Sequence, residues 1–210
     1  MGYIAVADYG VGNLKSVTNA MAYLGFNTKI TGVSAELESA DAIILPGVGA
    51  FPDAAEKLRR TGLDKVIKAQ AESKPLLGIC LGMQLLLERS SEYGEHPGLG
   101  LIPGEVRPIR DVIPVGLAVP HMGWNALRFP AERPRSPIFA ALEEGEHVYF
   151  VHSYAGFACG EGLTAWTEYG APLTAAVQRG NVYGTQFHPE KSGDVGLRIL
   201  KAFCGLEGEA

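Results

Sequence analysis

The chain has 210 residues, of which 47% are hydrophobic, and its 18 Lys and Arg residues against 23 Asp and Glu residues give a net charge of −5. A chain of this length can bury a sizeable core without disulfides or metals, and its 27 Gly and 13 Pro residues are too few for a low-complexity or collagen-like chain. The mild acidity, without a cluster of basic residues, argues against nucleic acid or an anionic membrane as the main partner.

No segment has the character of a membrane span or a targeting signal. The longest apolar run, residues 76–87, holds twelve residues, where a span needs about 20. The first residues carry no basic segment of a secretory signal, and Val6 stands where a myristoylation motif requires Ser or Thr. The three cysteines form no Cys-x-x-Cys pair, which favours reduced thiols. We therefore expect a cytoplasmic protein with no membrane association.

The first ninety residues alternate between strand-like and helix-like patterns. Strands are predicted at residues 3–8, 26–30, 42–46 and 75–79, and helices at residues 14–24, 53–60 and 63–72. The apolar runs of these strands are continuous rather than alternating, which suits strands that are covered on both faces. Alternation of such strands with helices predicts a parallel sheet with right-handed crossovers.

After Ser90, segments punctuated by Pro and Gly predict a second half that is mostly β. Strands are predicted at residues 104–109, 124–129, 147–154, 163–168, 173–178 and 182–187. The turn at Gly180 and Asn181 predicts a hairpin, and helical spacing after residue 196 predicts a closing helix. The expected fold class is α/β, with a mostly parallel central sheet flanked by helices and additional antiparallel strands in the second half. Without repeats or a linker, residues 1–210 should form a single domain.

The strongest chemical signal is the segment Gly78–Gly82, with the sequence GICLG, which follows an apolar strand and precedes a helical run at residues 83–88. This is the form of a nucleophile elbow, a turn that strains its central residue, here Cys80. A position at a helix N-terminus should lower the pKa of the thiol, and the N–H of Leu81 would point at a developing oxyanion. A buried structural cysteine in a glycine-containing turn is the alternative interpretation.

A nucleophilic thiolate needs a base, and His188 is the best candidate among five histidines. It follows an apolar strand, and Pro189 disfavours a helical conformation for the residue before it, so His188 should be extended. Residues at i and i+2 of an extended segment point the same way, which predicts that Glu190 lies beside the imidazole and orients it. Cys80, His188 and Glu190 are therefore the predicted catalytic triad.

The loop Pro46–Gly49, with the sequence PGVG, ends a buried strand. Parallel-sheet enzymes carry their sites at the carboxyl ends of the strands, so this loop should neighbour Cys80. Its two glycines would let the backbone turn N–H groups towards an anion, which makes Val48 and Gly49 candidate oxyanion donors beside Leu81. An ordinary glycine turn is the alternative. No complete dinucleotide fingerprint, Walker loop or metal-ligand spacing is present, so we expect neither a cofactor nor a metal.

Together, the GICLG elbow, the His-Pro-Glu tripeptide and the PGVG loop resemble the class I (triad) glutamine amidotransferases. The resemblance spans nearly the whole chain, from the DYGVGN segment at residues 8–13 to the terminal helix. The triad motifs are shared by all class I members. The PGVG loop and the PHMGWN segment at residues 120–125 narrow the resemblance to the members that pass ammonia to a (β/α)₈-barrel cyclase subunit in histidine biosynthesis.

The resemblance implies a glutaminase in a heterodimer that channels ammonia to the cyclase. Cys80 would be the nucleophile, His188 the acid and base, and Glu190 its orienting carboxylate. The glutamine-binding positions of the family fall on Gln84, Glu92, His152, Ser153 and Tyr154. The positions that would face the barrel are Asn13, Met122, Trp124 and Lys191. We also hypothesise that Gly47 and Gly49 let the oxyanion loop flip between inactive and active backbone states when the partner binds its substrate.

Three alternatives stay open from the sequence. The first is the glutaminase of another class I enzyme, such as that of pyridoxal phosphate or anthranilate synthesis. The second is a catalytically silent subunit on the same fold, because a fold alone does not fix a function. The third is a cysteine hydrolase of the general stress-protein type, which the placement of the His-Pro-Glu tripeptide disfavours.

Overall fold

The computed structural model describes residues 2–208. Within this range the strands are β1 (Ile4–Ala7), β2 (Thr28–Thr31), β3 (Ala42–Gly47), β4 (Leu76–Cys80), β5 (Arg89–Ser90), β6 (His96–Pro97), β7 (Glu105–Pro108), β8 (His121–Ala126), β9 (His147–His152), β10 (Tyr154–Phe157), β11 (Leu163–Glu168), β12 (Pro172–Arg179) and β13 (Val182–Thr185). The α-helices are α1 (Leu14–Tyr23), α2 (Ser34–Ser39), α3 (Phe51–Arg60), α4 (Leu63–Gln70), α5 (Leu81–Leu86) and α6 (Gly193–Cys204).

A seven-stranded sheet in the order β11-β12-β13-β4-β3-β1-β2 forms the centre of the fold. The strands from β13 to β2 are parallel, and β12 and β11 extend the sheet in antiparallel fashion. The hairpin between β12 and β13 turns at Gly180, whose φ is 55°. A four-stranded sheet, β10-β7-β5-β6, and the antiparallel pair β8-β9 complete the strands. The predicted α/β class, with a parallel centre and antiparallel strands in the second half, is confirmed.

Helices cover both faces of the central sheet. Along β1, the side chains of Ile4 and Val6 pack with residues of α1 and α6, whereas those of Ala5 and Ala7 pack with residues of α3, α4 and α5. Since successive side chains of a strand point to opposite faces, a strand that is covered on both sides must be apolar at every position. This is the physical reason for the continuous apolar runs of the first half.

Some element boundaries differ from the predictions. Helix α5 begins at Leu81, directly after β4, rather than at residue 83, because the turn at Cys80 starts the helix at once. The strand predicted at residues 124–129 corresponds to β8, which begins and ends three residues earlier. Of the last three predicted residues, only Arg128 is paired, in an isolated β-bridge. Helix α2 was not predicted, since Leu37 is its one buried residue and a single apolar position gives no periodicity.

The carboxyl ends of β3, β4 and β13 meet at one edge of the central sheet. Gly47 at the end of β3 is paired with Cys80 at the end of β4, and β13, on the other side of β4, leads to His188. The corner between β9 and β10, at Ser153, lines the same cleft as Cys80. Within residues 2–208, no helix has the length and apolarity that crossing a membrane requires.

Candidate active site

Cys80 ends β4 and immediately precedes α5, in a strained backbone conformation. Its φ of 55° and ψ of −109° lie in a region that residues with a side chain rarely adopt. Such strain persists only where the surrounding structure enforces it, and it is common at reactive positions. The side chain is 8% exposed. The turn therefore holds the sulfur at the base of a cleft, as the elbow motif predicts.

The glycines on either side of Cys80 allow α5 to lie directly on the sheet. A Cβ atom at Gly82 would lie 1.8 Å from the carbonyl oxygen of Leu45 in β3, and one at Gly78 would lie 2.7 Å from the carbonyl oxygen of Gly82. Real Cβ atoms do not approach backbone so closely, so no other residue fits either position without moving the backbone. The sharp strand-to-helix turn therefore depends on both glycines.

His188 and Glu190 form a buried pair beside Cys80. His188 Nδ1 lies 2.8 Å from Glu190 Oε1, and the two side chains are 3% and 1% exposed. His188 is extended, with φ of −100° and ψ of 96°, as Pro189 predicts. The expectation that the extended backbone continues to Glu190 is wrong, because Pro189–Lys191 form a 3₁₀ turn. The carboxylate reaches the ring through this turn.

The electrostatics of the pair suit a nucleophilic thiolate. Burial lowers the pKa of His188, but hydrogen bonds to Cys80 and Glu190 and the charges of both outweigh burial and raise the pKa to about 9. At neutral pH an imidazolium therefore stands beside the sulfur, the arrangement that activates cysteine for attack. Gln186 Nε2 donates to the Cys80 sulfur at 3.7 Å. The same imidazolium is placed to give its proton to a leaving group.

A cleft of about 370 Å³ opens above Cys80, a volume that accommodates a small molecule. Cys80 and His188 line it together with most of the other predicted site residues, namely Val48, Gly49, Leu81, Gln84, Glu92, His152, Ser153, Tyr154 and Lys191. Glu190 lies behind His188 rather than in the lining. Pro120 and Val151 also line the cleft and were not predicted.

Two of the predicted glutamine-binding residues also hold the walls of the cleft. Gln84 Nε2 donates to the carbonyl of Tyr154 and to Gln186 Oε1, both at 3.0 Å, and so ties α5 to β10. Glu92 Oε2 accepts from the N–H of Phe51 at 2.8 Å, at the first residue of α3. Burial raises the pKa of Glu92, although the Phe51 N–H opposes this. Each side chain therefore supports the cleft as well as lining it.

The PGVG loop is fixed at both ends. The hydroxyl of Tyr9 donates to the carbonyl of Pro46 at 2.8 Å, and Glu92 holds the N–H of Phe51 after the loop. Between these anchors Val48 is 42% exposed, and Gly49 has a φ of 99°, which favours glycine. These anchors limit any backbone rearrangement to the intervening residues.

The two glycines of the loop, Gly47 and Gly49, have different structural roles. A Cβ at Gly47 would lie 2.7 Å from the N atom of Gly82, whereas one at Gly49 would meet nothing within 4 Å. Gly47 is therefore needed for close packing against α5, a role that was not predicted from the sequence, and the loop flip stays a prediction. Gly49, by contrast, has a positive φ, a backbone conformation that residues with a side chain rarely adopt.

Besides Pro120 and Val151, three residues that support the site were not predicted from the sequence. Gln186, which is fully buried, contacts Cys80, and Tyr9 anchors the PGVG loop. Nδ1 of the buried His121 lies 3.0 Å from Nε2 of His152 in the cleft wall. A polar residue inside the apolar run before His188 was the available signal for Gln186. Nothing local identifies the other two contacts.

The residues predicted to face a partner are divided between the cleft rim and the surface. Met122 and Trp124, two residues apart on β8, are 61% and 52% exposed, and alternation along the strand puts them on one face. A Cβ at Gly193 would lie 4.0 Å from the Trp124 ring, so this face adjoins the turn that carries Lys191. Asn13 immediately precedes α1 and is half-buried.

The other described cysteines and acidic residues show no second centre of this kind. Cys159 and Cys204 are buried outside any elbow, and burial raises the pKa of Cys159 to about 11, which keeps its thiol protonated. Among residues 2–208, no three His, Cys, Asp or Glu side chains are grouped so as to hold a metal ion.

Comparison with protein families and curated proteins gives matches over most of the chain. A model of the class-I glutamine amidotransferases matches residues 5–204. The imidazole glycerol phosphate synthase subunit HisH of Listeria innocua is 49% identical over 201 residues, which cover 95% of this chain and 94% of that protein. The subunit of the same name from Bacillus cereus is 47% identical over 204 residues, covering 97% of this chain and 94% of that one.

Solved structures share the fold at lower sequence identity. A crystal structure of a glutamine amidotransferase matches with a TM-score of 0.75 and 24% identity, covering 99% of this chain and 100% of that chain. The structure of PurLQS from Thermotoga maritima matches with a TM-score of 0.76 and 22% identity, covering 98% of both chains. At these identities the likeness concerns the fold alone.

Proposed function

The chain belongs to the class I glutamine amidotransferases, and we propose that it is the glutaminase subunit of an imidazole glycerol phosphate synthase. It hydrolyses glutamine to glutamate and ammonia in histidine biosynthesis, and its partner is a (β/α)₈-barrel cyclase subunit that uses the ammonia. The observation that carries the chemistry is the cysteine elbow at Cys80 beside the His188–Glu190 pair. The near-full-length identity to HisH subunits, 49% in the Listeria innocua protein, supports the choice of pathway.

In the first step the Cys80 thiolate attacks the side-chain amide carbon of glutamine. A carbon–sulfur bond forms, the carbonyl π electrons move to oxygen, and the tetrahedral intermediate carries an oxyanion. When the carbon–nitrogen bond breaks, the imidazolium of His188 gives its proton to the departing nitrogen, and ammonia leaves. The product is a thioester on Cys80. Glu190 holds the ring of His188 in orientation for this transfer.

In the second step water hydrolyses the thioester. The now neutral His188 takes a proton from the attacking water, a carbon–oxygen bond forms, and the carbon–sulfur bond breaks to give glutamate and the Cys80 thiolate. In both steps we assign the oxyanion to N–H groups at Leu81 and in the Val48–Gly49 segment. Removal of one such donor typically costs about 100–1,000-fold in rate.

Glutamine itself would be held by the walls of the cleft. The buried carboxyl of Glu92 offers an acceptor for the α-ammonium group, and we assign the α-carboxylate to residues 152–154, which line the same cleft. Gln84 completes the pocket from α5. A site that hydrogen-bonds the polar groups of a substrate rejects analogues that lack them, because its own groups are then left unpaired.

The exposed apolar face at Met122 and Trp124 supports a protein partner next to the cleft. Aromatic and methionine side chains are enriched at interfaces, and large exposed apolar residues at one place mark interaction sites. We assign Met122, Trp124, Asn13 and Lys191 to the contact with the cyclase in a cytoplasmic heterodimer. A partner seated there would receive ammonia without releasing it to solvent.

Substitution of the nucleophile separates glutamine hydrolysis by this subunit from synthesis by the cyclase. Cys80→Ala should abolish glutamine-dependent synthesis by the complex with the cyclase, while ammonium salts still support synthesis, because the cyclase needs only ammonia. Cys159→Ala is the matched control, since this buried thiol lies outside the site, and it should retain glutamine-dependent synthesis. Retention of glutamine hydrolysis by Cys80→Ala would show that the nucleophile is elsewhere.

Further measurements separate the alternatives. An electrophilic glutamine analogue should label Cys80 of the wild-type protein, and failure to label a folded protein would favour a silent subunit. Binding to the barrel cyclase and growth of a histidine auxotroph distinguish this subunit from the glutaminases of other class I enzymes. A general cysteine hydrolase would instead prefer substrates other than glutamine.

A further inference from the structure

A chain of buried hydrogen bonds leads from the cleft wall into β8. His152 Nδ1 lies 2.8 Å from the carbonyl oxygen of Tyr154, and His152 Nε2 lies 3.0 Å from His121 Nδ1. His121 Nε2 in turn lies 3.1 Å from Asn125 Oδ1. His152 and His121 are 6% and 0% exposed, so water has little access to either ring. Three contacts in series thus join the substrate-facing wall to the strand that carries the partner face.

The direction of the hydrogen bonds is fixed at both ends of this chain. The carbonyl of Tyr154 only accepts, so His152 must carry hydrogen on Nδ1. At the other end the amide nitrogen of Asn125 donates to the carbonyl of Glu168 at 2.9 Å, which turns Asn125 Oδ1 towards His121. That oxygen also only accepts, so His121 must carry hydrogen on Nε2.

The three contacts need one more proton than two neutral rings possess. With Nδ1 of His152 and Nε2 of His121 both protonated, two neutral imidazoles have no hydrogen left for the contact between them. That contact then joins two lone pairs at 3.0 Å. One added proton, shared by the two rings, completes the chain. A buried polar group without a hydrogen-bond partner is unfavourable, so the neutral pair is incompletely satisfied.

We propose that the His121–His152 pair takes up one proton when glutamine binds, and that His121 is a positioning residue for the substrate-facing wall. The inference rests on the proposed function and on the placement of the α-carboxylate at residues 152–154. A negative group at this wall raises the proton affinity of the pair. The added proton completes the chain behind His152 and fixes the wall while the substrate is bound.

The groups around the pair keep it neutral in the empty cleft. Burial is the largest cause that lowers the pKa of both rings, that of His152 to about 3. The charge of His188, which lines the same cleft, lowers the pKa of His152 further. Besides His188, the charged side chains that line the same cleft are Glu92 and Lys191.

Aromatic rings on both sides favour a cation at His121. It stacks on Phe150 and on Tyr169, with ring centroids 4.9 Å and 4.0 Å apart. Attraction between a cation and the face of an aromatic ring favours the protonated form. Glu168 acts on the pair through its main-chain carbonyl, by way of Asn125.

Titration calorimetry of glutamine into the full-length Cys80→Ala protein with its cyclase tests the proposal. Measurement in two buffers of different ionisation enthalpy gives the number of protons bound with glutamine. The Cys80→Ala protein should take up one proton with glutamine, and its affinity for glutamine should fall by up to tenfold per unit of rising pH. Cys80→Ala/His121→Gln should take up one proton fewer, and its affinity should not show this fall. Cys80→Ala/His147→Asn, altered at an exposed histidine, should match Cys80→Ala.

A second variant leaves both histidines in place. In Cys80→Ala/Asn125→Ala no acceptor faces His121 Nε2, so His121 can carry its hydrogen on Nδ1 instead. The two neutral rings then satisfy both remaining contacts, from His121 to His152 and from His152 to Tyr154, and the proton uptake should also be lost. Glutamine binding with the same proton uptake in all variants would overturn the proposal while leaving the glutaminase assignment intact. Absence of glutamine binding to the Cys80→Ala complex would overturn both.

Discussion

Glu190 is the least exposed charged side chain of the triad, at 1%, and its two oxygens have different surroundings. One lies 2.8 Å from His188 Nδ1, whereas the other has no hydrogen-bond partner among the described residues. A carboxylate buried in this way needs a close polar or charged partner, and the His188 ring provides one. The stabilisation is mutual, since the same carboxylate helps to keep the pKa of His188 high.

We predict that Glu190→Gln lowers glutamine hydrolysis by roughly 100–10,000-fold, because an amide neither orients the ring nor stabilises its cation. The protonated His188 is the active form, so activity is present below its pKa of about 9 and is lost as pH rises through that value. Removal of the carboxylate lowers this pKa, so the alkaline limb of the rate profile should move to lower pH. Rates of glutamate formation between pH 6 and 10, roughly the range around these pKa values, measure the shift.

An exposed carboxylate provides the comparison for this change. Glu132→Gln removes the same charge at an exposed position that does not line the cleft, and it should leave the alkaline limb where it is in the wild-type protein. An unchanged alkaline limb in Glu190→Gln would mean that the carboxylate does not act through the imidazole.

At the scale of elements, the site depends on how closely α5 lies on β3 and β4. The backbone of α5 touches the strand backbones where Gly47, Gly78 and Gly82 provide no side chain. The PGVG loop that leaves β3 is anchored by Tyr9 before it and by Glu92 after it. A rearrangement of this loop is therefore confined to the residues between the anchors, among which Gly49 has the positive φ.

We predict different effects of alanine at the two glycines of this loop. Gly47→Ala should destabilise the fold by about 1–3 kcal/mol, because its Cβ meets backbone. Gly49→Ala should destabilise only the backbone state in which residue 49 has a positive φ, by about 1–2 kcal/mol. If the loop changes state during activation, the ratio of basal to cyclase-stimulated hydrolysis should therefore change by roughly 5–30-fold. Urea unfolding and glutaminase assays with and without the cyclase measure both effects. Equal unfolding midpoints for Gly47→Ala and the wild-type protein would contradict the packing role.

At the scale of the whole molecule, the cleft opens beside an apolar patch that the described residues leave exposed. Met122 and Trp124 project from β8, whose neighbouring residue His121 is fully buried. Alternation along this strand thus puts the proposed proton-binding pair on the inner side and the proposed cyclase contact on the outer side. That residues 1–210 act as one domain stays a prediction.

Trp124→Ala should weaken binding to the cyclase by at least about 30-fold, because truncation of a central tryptophan at an interface commonly costs 2 kcal/mol or more. Met122→Ala should act in the same direction. Val115→Ala, at a fully exposed position outside this patch, serves as the control and should leave the affinity unchanged. Calorimetric dissociation constants measure the effect, and an unaltered affinity in Trp124→Ala would place the interface elsewhere.

The amino-acid sequence by itself predicted the α/β class and the family, and both are confirmed. It also predicted which segments carry the candidate nucleophile, base and oxyanion loop, although their catalytic roles stay predictions. These features were accessible because short-range sterics encode them: a continuous apolar run requires two covered faces, small residues permit a sharp strand-to-helix turn at Cys80, and Pro189 extends the residue before it.

Only the tertiary structure decided how the surrounding residues are paired. The contact of Gln186 with Cys80 spans 106 residues of sequence, and that of Tyr9 with Pro46 spans 37. The contact between His121 and His152 arises because β8 and β9 pair in one register. Contacts of this kind depend on which elements become neighbours and on how closely their backbones approach, and no local pattern of residue types contains that information.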